Sequence, residues 1–324
     1  MSVTTMKRLL RDDLRPVLIL AACIAGLALV GGREFLTLAT AASSLETFAT
    51  VGLVALGLGL TMMIREFDLS VVGMYSMAGC IAVVLGAGNP WLGLVVALAV
   101  GVVAGLLQGW IIVRLRLGSV GVTLGGLLVF AGIAYVVTEN RALPYDNMAV
   151  ALGLSAPIAG IFTIRSLVAV AIFAVAALFF GLTRYGRDIV AVGSDRRAAM
   201  TAGVGVDALI IGIFAFTGSC AALSGALLSY SLASASPSGL SDVIVPAAAA
   251  AILGGVSLAG GSGRPLGIAV GVLTLAVLRA GFNAVGAPPY VNEVAMGAIL
   301  LTVAVLDAPD LVRRWSRLTR GRAH

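Results

Sequence analysis

The sequence predicts an all-α, polytopic helical membrane protein. Of its 324 residues, 60% are hydrophobic and only 11% are charged. Soluble globular domains carry about twice that share of charged residues. The hydrophobic runs are continuous and do not alternate with polar residues, which favours membrane-spanning helices over a transmembrane β-barrel.

About ten segments have the length and composition of membrane-spanning helices, since about 20 mostly apolar residues cross the hydrocarbon core. The long charge-free run 69–113 is divided by the Gly-Ala-Gly-Asn-Pro sequence at 86–90. The apolar segment 147–162 contains Pro157 and several glycines, which favours an outside loop or a short interfacial helix. The sequence therefore predicts one transmembrane domain, residues 1–324. The predicted spans are residues 16–32, 45–64, 69–87, 91–113, 118–138, 166–183, 208–230, 243–261, 265–285 and 289–306.

The basic residues are distributed unequally between the two ends of these spans. With the N-terminus inside, only four of the 21 Lys and Arg residues fall at outer ends: Arg33, Arg141, Arg165 and Arg279. Basic residues concentrate on the cytoplasmic side of membrane proteins. This bias predicts that both termini and the segment 184–207 lie in the cytoplasm. The net charge of +6 therefore reflects the basic residues on the cytoplasmic side. The sequence shows no cluster of basic and aromatic residues of the kind that binds nucleic acid.

Residues 184–207 form a charged segment between two charge-free runs. Ser194 or Asp195 is suited to cap the N-terminus of a helix over residues 196–202, and Gly203 is suited to end it. A helix on a cytoplasmic loop of a membrane protein is well placed to engage a soluble partner.

Residues for catalysis or metal binding are scarce. The only histidine is His324, and Cys23, Cys80 and Cys220 fall inside predicted spans without paired spacing. The segment 260–264 resembles a phosphate loop only superficially, because no Gly-Lys-Ser/Thr follows it. The sequence therefore predicts no catalytic residue, metal site or nucleotide site on this chain.

Glycines at a spacing of four predict close helix packing, because they share one helix face and let another backbone approach. The same residues would serve a fixed contact within one subunit or an interface that slides. The glycine sets are Gly101, Gly105 and Gly109, then Gly121 and Gly125, and then Gly267 and Gly271.

Polar and glycine-rich positions in the spans are candidates for a translocation path. Residues 246–265 combine Pro246 with paired glycines, which predicts a broken helix, and irregular backbone at membrane depth is tolerated where it lines a wet cavity. The alternative is a short span that ends in a cytoplasmic turn. Asp68 either caps a helix that begins at Leu69 or Ser70, or takes part in gating. The candidate path residues are Asp68, Ser70, Gln108, Thr123, Gly254, Gly255, Ser257 and Asn283.

Four sequence blocks follow one another along about residues 45–306. They are Phe67-Asp68-Leu69-Ser70-Val71; Thr123-Leu124-Gly125; Tyr185-Gly186-Arg187 with Ala191-Val192-Gly193, Ala198-Ala199 and Gly203; and Leu253-Gly254-Gly255-Val256-Ser257-Leu258-Ala259-Gly260-Gly261. Each block alone is weakly specific. In this order they resemble the membrane permease subunits of bacterial ATP-binding-cassette (ABC) importers, specifically the ribose/xylose-type sugar permeases.

The resemblance implies a multi-pass subunit of the bacterial inner membrane, surrounded by lipid, that pairs with an identical or paralogous second permease. It implies cytoplasmic ATPase subunits, which bind the ATP and Mg²⁺, and a periplasmic binding protein that delivers a monosaccharide or related polar solute. The Ala-Ala-x3-Gly spacing resembles the coupling-loop motif of importer permeases, with Arg196 and Arg197 suited to pair with acidic partner residues. The implied coupling residues are Gly186, Arg187, Gly193, Arg197, Ala198, Ala199 and Gly203.

Three positions depart from the family pattern. Arg197 stands where the wider motif has Glu, and Glu66-Phe67 replaces Gly-Gly before Asp68. Residues 244–249 lack the two acidic residues common in the family. A permease for branched-chain amino acids, nucleosides or a sugar-derived signal therefore stays open, as does an ion-coupled secondary transporter, which would need buried paired carboxylates.

Overall fold

The computed structural model describes residues 3–238 and 243–307, and most of this part is helical. Two short strands, β1 (Leu143–Pro144) and β2 (Ser234–Ala235), pair antiparallel. Because nearly all the other regular structure is helical, the all-α prediction is confirmed. The helices are α1 (Val3–Phe35), α2 (Leu38–Met63), α3 (Val71–Leu85), α4 (Pro90–Leu115), α5 (Ser119–Val137), α6 (Met148–Ser155), α7 (Ile164–Leu182), α8 (Arg184–Ser194), α9 (Arg196–Thr201), α10 (Val206–Ser231), α11 (Ile244–Leu253), α12 (Pro265–Ala284) and α13 (Pro289–Asp307).

Each predicted span overlaps one helix, namely α1 to α5, α7 and α10 to α13. Among the described residues, seven helices are long and apolar enough to cross a membrane. Helices α3 and α11 are shorter, with 15 and 10 residues. The prediction of a full span over 243–261 is wrong, because α11 ends at Leu253 and a glycine-rich loop follows. The segment 147–162 contains the short helix α6, as expected.

Helix α2 lies at the centre of the bundle. It is apolar around its whole circumference, and such a helix is expected to be buried on all sides. Every side chain from Val51 to Met63 is buried. Its neighbours include α7, α10, α11 and α12. Helices α1, α4, α5 and α7 leave most of their apolar surface exposed, which suits helices that face lipid or another subunit.

Small residues let the backbone of α4 lie directly against the backbone of α10, as the four-residue spacing of the glycines predicts. A Cβ on Gly105 would overlap the carbonyl oxygen of Phe214, and one on Gly109 would lie 2.7 Å from the Cα of Ile211. Helix α12 uses Gly271 in the same way, since a Cβ there would lie 2.6 Å from the backbone nitrogen of Gly254. These glycines are therefore required by close packing.

Gly121 and Gly125 make no such close contact within the described part of this chain. A Cβ at either position would have nothing within 4 Å. Both glycines lie on α5, which contacts its neighbours mainly through another face that includes Thr123 and Gly126. Spacing alone therefore places glycines on one face without showing whether that face meets a helix.

The connections between helices lie at two opposite ends of the bundle. One end carries the β1–β2 ribbon, where Tyr145 stacks on Tyr230 with ring centroids 4.6 Å apart. The opposite end carries α8, α9 and the loops 64–70 and 254–264. Arginines concentrate at this second end, as the topology prediction requires. The C-terminal arginines from residue 313 onward, and the C-terminus itself, lie outside the described residues.

We predict that Gly105→Ala destabilises the protein, because the new Cβ would overlap the Phe214 carbonyl of α10. Overpacking of a tight contact costs about 1–3 kcal/mol. The thermal midpoint of the detergent-solubilised protein should fall. Gly125→Ala is the matched control, since its Cβ meets nothing within 4 Å and alanine favours a helix by about 1 kcal/mol over glycine. Equal loss of stability in both variants would contradict the proposed packing role.

Candidate functional site

Helix α9 begins where the sequence predicts a capped N-terminus. The Asp195 carboxylate accepts hydrogen bonds from the backbone N–H groups of Arg197 (2.9 Å) and Ala198 (3.0 Å). These N–H groups have no partner within the helix, so a side chain that accepts from them stabilises its first turn. Of the two predicted caps, Ser194 and Asp195, the structure uses Asp195.

Gly203 ends α9 in a Schellman motif. Its φ of +84° is left-handed, a conformation that glycine adopts without steric cost. The N–H of Val204 donates to the carbonyl of Ala199, and the N–H of Gly203 donates to that of Met200, both at 3.0 Å. These two bonds satisfy carbonyls that the helix end leaves unpaired. The prediction that Gly203 ends the helix is confirmed.

Helix α8 was not anticipated by the sequence reasoning, which treated residues before Ser194 as loop. It is amphipathic, with Arg184 and Arg187 exposed and a small apolar face turned to the bundle. Small or apolar residues at spacings of three and four, among charged ones, are the signal that would have found it. The buried residues of α8 are Gly186, Ile189, Val192 and Gly193.

The end of α8 packs against the end of α2 and the glycine-rich loop. The N–H of Gly261 donates to the carbonyl of Met63 at 2.8 Å. A Cβ on Gly193 would overlap that same carbonyl and lie 2.5 Å from the Gly261 nitrogen. We call this contact, formed by residues 63–66, 193–196 and 260–261, the α2 junction.

Two arginines cross the α2 junction in opposite directions. Arg196 of α9 pairs with the Glu66 carboxylate at 2.6 Å, and Arg65 donates to the backbone carbonyl of Ser194 at 2.8 Å. Glu66 is mostly buried and Arg196 is partly exposed, so solvent screens the pair in part. In this structure Arg196 is engaged by Glu66 of the same chain, whereas Arg197 is exposed, and pairing of either arginine with a partner protein stays a prediction. The departure from the family pattern at Glu66 has a structural role.

The coupling residues predicted from the sequence divide into two groups. One group is buried and holds α8 and α9 against the bundle; the other is exposed and forms a surface on the same side. Gly186, Gly193 and Ala199 are buried, whereas Arg187, Arg197, Ala198 and Gly203 are exposed. Only the exposed group is available to another protein.

Several predicted path residues meet where α3 begins. Asp68 is 2% exposed, and its carboxylate accepts from the backbone N–H of Ser70 (2.9 Å) and from its hydroxyl (2.6 Å). The hydroxyl of Thr123 donates to the carbonyl of Phe67 at 3.2 Å. Helix α3 starts at Val71, one to two residues later than predicted, and Asp68 fixes the turn before it.

Gln108 lies beside this turn, and its side-chain amide has no hydrogen-bond partner among the described residues. It is 5% exposed, and both its amide nitrogen and its amide oxygen are buried without a partner. A Cβ on Gly126 would lie 2.6 Å from the Gln108 amide nitrogen and 3.3 Å from the Cβ of Ser70. An unsatisfied buried polar group costs about 1–3 kcal/mol. We call Asp68, Ser70, Gln108 and Thr123 the polar cluster.

The other four path candidates lie away from the polar cluster. Gly254, Gly255 and Ser257 belong to the loop after α11, close to the α2 junction. Gly255 has a left-handed φ of +89°. Asn283 lies near the end of α12, and its side-chain oxygen accepts from Asn292 at 3.3 Å. The predicted helix break is present at Gly254, whose backbone packs against Gly267 of α12. The loop that follows reaches α2 through Gly261, at the end of the bundle that carries α8, which agrees with the alternative of a short span that ends in a turn.

A buried arginine that forms an ion pair at the opposite end of the bundle was missed by the sequence reasoning. Arg165 is 5% exposed and pairs with Glu46 at 2.8 Å. It also donates to the hydroxyls of Thr50 (2.8 Å) and Ser231 (3.2 Å). A buried charge is stable only when it is paired and hydrogen-bonded, and these contacts join α2, α7 and α10. Lone charges inside apolar runs are the sequence signal that would have found it.

These features define a polytopic helical membrane protein with an interior polar cluster and a surface helix pair. The chain belongs to the family described as branched-chain amino acid transport system / permease component, whose model matches residues 40–304. Members are transport subunits, and ATP hydrolysis takes place on separate subunits. The predicted class, an ABC importer permease without catalytic activity of its own, is confirmed.

Individual relatives are importer permeases. The chain is 30% identical over 274 residues to the L-arabinose transport system permease protein AraH of Escherichia coli (strain K12), covering 79% of this chain and 78% of that protein. It is 28% identical over 268 residues to the ribose import permease protein RbsC of Bacillus subtilis (strain 168), covering 81% and 83%. It is 30% identical over 299 residues to the autoinducer 2 import system permease protein LsrC of Photorhabdus luminescens, covering 90% and 88%. No solved structure matches the chain significantly.

We predict that Asp195→Ala frays the first turn of α9, whereas Asp195→Asn keeps the cap because an amide oxygen also accepts hydrogen bonds. Hydrogen–deuterium exchange at residues 197–201 should be several-fold faster in the alanine variant only. The N–H groups of Ala198 and Arg197 hold the pKa of the Asp195 carboxyl below its ordinary value. The stabilisation is therefore present above the ordinary pKa and is lost as the pH falls through the lowered pKa. Equal exchange in both variants would contradict capping.

Proposed function

We propose that this chain translocates a monosaccharide or a related polar solute through an ABC importer of the bacterial inner membrane. Its family and its arabinose, ribose and autoinducer 2 relatives support this solute class. The single observation that supports a solute path at the polar cluster is the buried side-chain amide of Gln108, which has no partner among the described residues.

The polar cluster offers groups that a sugar can use. The Gln108 amide supplies both a donor and an acceptor, and Ser70 and Thr123 add hydroxyls at the start of α3. The non-helical backbone before α3 is tied to α5, since the N–H of Phe67 donates to the Ser119 hydroxyl and its carbonyl accepts from Thr123. A solute hydroxyl that reaches Gln108 would satisfy atoms that this conformation leaves without partners.

The exposed face of α9 is proposed as the contact for the cytoplasmic ATPase. Ala198 and Gly203 present little side chain there, so another surface can approach closely. The α2 junction ties α9 to the central helix through Arg196 and Arg65, so a displacement of α9 is transmitted to α2 as a rigid body. Motion of α2 would then alter the turn at Asp68, which follows it directly.

The remaining partners and the topology belong to the same proposal. The end that carries α8 and α9 faces the cytoplasm, since arginines concentrate there. A periplasmic binding protein approaches the opposite end, and a second permease, identical or paralogous, packs against the exposed apolar helices. ATP and Mg²⁺ bind to the ATPase subunits.

Two alternatives to sugar import are another solute for the same kind of ABC permease and an ion-coupled transporter, and the chain supports them unequally. A permease for amino acids, nucleosides or a sugar-derived signal would use the same architecture, and the autoinducer 2 relatives keep the last of these open. An ion-coupled transporter would need paired buried carboxylates. Among the described residues, Asp68 is the only fully buried carboxylate, and family membership favours ATP-driven import.

We predict that Gln108→Leu lowers solute transport about tenfold without lowering stability. Leucine removes the polar atoms that a solute would contact, yet it also removes two unsatisfied buried groups, so the free energy of unfolding should hold or rise by about 1 kcal/mol. The measurements are ATP-dependent uptake of labelled arabinose and ribose into vesicles that contain the complete importer, and thermal unfolding of the purified chain.

Thr274→Val is the matched control for Gln108→Leu. Thr274 is also buried, but its hydroxyl bonds within its own helix, to Val270 at 2.8 Å. Its loss should leave transport near the wild-type rate. Normal transport by the Gln108 variant would remove Gln108 from the path. Uptake that persists without ATP and disappears with the ion gradient would overturn the importer proposal itself.

We predict that Ala198→Arg weakens binding of the ATPase subunit about tenfold or more, because a long charged side chain would hold the two surfaces apart. The fold should be unaffected, since Ala198 is exposed. Gly118→Arg is the control: it lies in the α4–α5 loop at the same end of the bundle, with nothing within 4 Å of its Cβ position. The affinity of the purified subunits measures the effect. Equal affinity of both variants would place the ATPase elsewhere.

A further inference from the structure

An open groove of about 640 Å³ lies beside α8, at the end of the bundle that carries α9. Its walls come from the last turn of α7, from α8 and from the start of α12. Phe180, Val190 and Leu266 give it apolar surface, and Arg187 and Arg264 are the two charged residues that line it. Both arginines are exposed to the surroundings of the chain.

The depth of the groove follows from the helices that form it. Helix α7 ends at Leu182 and α12 begins at Pro265, and both helices are long and apolar enough to cross a membrane. A groove between the end of one such helix and the start of the other lies at the boundary between hydrocarbon and water. Lipid headgroups occupy this level, and the arginine bias makes it the cytoplasmic leaflet, where anionic lipids attract basic residues.

We propose that this groove binds one anionic phospholipid, with the headgroup phosphate between Arg187 and Arg264 and an acyl chain along Phe180, Val190 and Leu266. A guanidinium recognises phosphate oxygens with two parallel hydrogen bonds and keeps its charge at the membrane surface. The apolar lining favours a lipid over free phosphate, because a free anion would leave the apolar wall without a partner. The inference depends on the proposed topology and not on the solute.

The bound lipid would support α8 beside its contact with the α2 junction. The packed face of α8 ends at Gly193 on Met63, and the adjoining face borders the groove through Val190 and Arg187. Arg187, implied by the family resemblance as a coupling residue, is on this account a lipid ligand. Its role in coupling would then be indirect, through the position of α8.

Native mass spectrometry of the purified permease tests the proposal. The detergent-solubilised chain is mixed with equal amounts of phosphatidylglycerol and phosphatidylcholine, and the retained lipid is counted. The wild type should retain phosphatidylglycerol at least fivefold over phosphatidylcholine, and the double variant Arg187→Gln/Arg264→Gln should lose this preference. Arg184→Gln is the matched control, since Arg184 is exposed on the same helix near the Tyr185 ring and outside the groove.

A second variant covers the case in which the double variant does not fold. Leu266 is 63% exposed near the N-terminus of α12, where an acidic residue is compatible with the helix dipole. Leu266→Glu should therefore fold and still lose the preference, because its charge repels the phosphate. Retention of phosphatidylglycerol by this variant would overturn the proposal.

Two further measurements separate the lipid from other occupants. Millimolar inorganic phosphate should leave lipid retention unchanged; if it removes the lipid preference, the groove binds free anions and the proposal is wrong. Addition of the ATPase subunits should also leave the lipid in place. Its displacement would show that a protein fills the groove. Transport can fail in either case without affecting this result, so the two proposals are tested independently.

Discussion

The packing of the bundle around Met63, at the end of α2, depends on one close backbone contact. The carbonyl of Met63 accepts from Gly261, and Gly193 must lack a side chain for α8 to reach the same oxygen. The contact joins three segments that are far apart in the sequence: the end of α2, the end of α8 and the loop after α11. Because α2 is buried on all sides, a change at its end is transmitted to most of the bundle.

Different kinds of interaction hold the two ends of α2 in place. At the Met63 end, short-range packing and the Glu66–Arg196 pair fix the position of α9. At the other end, the buried Arg165 pairs with the partly exposed Glu46 and with hydroxyls of Thr50 and Ser231. The polar cluster lies near the first of these ends, where the chain leaves α2. A permease that alternates between two states needs a rigid element of this kind to couple its ends.

Local chemistry in the sequence predicted the elements that depend on few neighbours. Asp195 and Gly203 mark the ends of α9 because a cap and a left-handed residue act within one turn. The spans follow from apolar length alone. Prediction failed for α8, whose short amphipathic pattern was taken for a loop. Spacing alone did not distinguish Gly121 and Gly125 from Gly101 and Gly105, although the first two make no close contact within the described part of this chain.

The sequence by itself determined the fold class, the number of apolar segments, the side of the membrane that the basic residues favour and the capped helix after Asp195. Only the tertiary structure decided that Glu66 pairs with Arg196, that Arg165 pairs with Glu46 and that Gln108 has no partner. The reason is the separation along the chain over which each kind of interaction acts. Hydrophobicity and capping act between residues close in the chain, whereas hydrogen-bond and ion-pair partners more than 100 residues apart are chosen by helix packing.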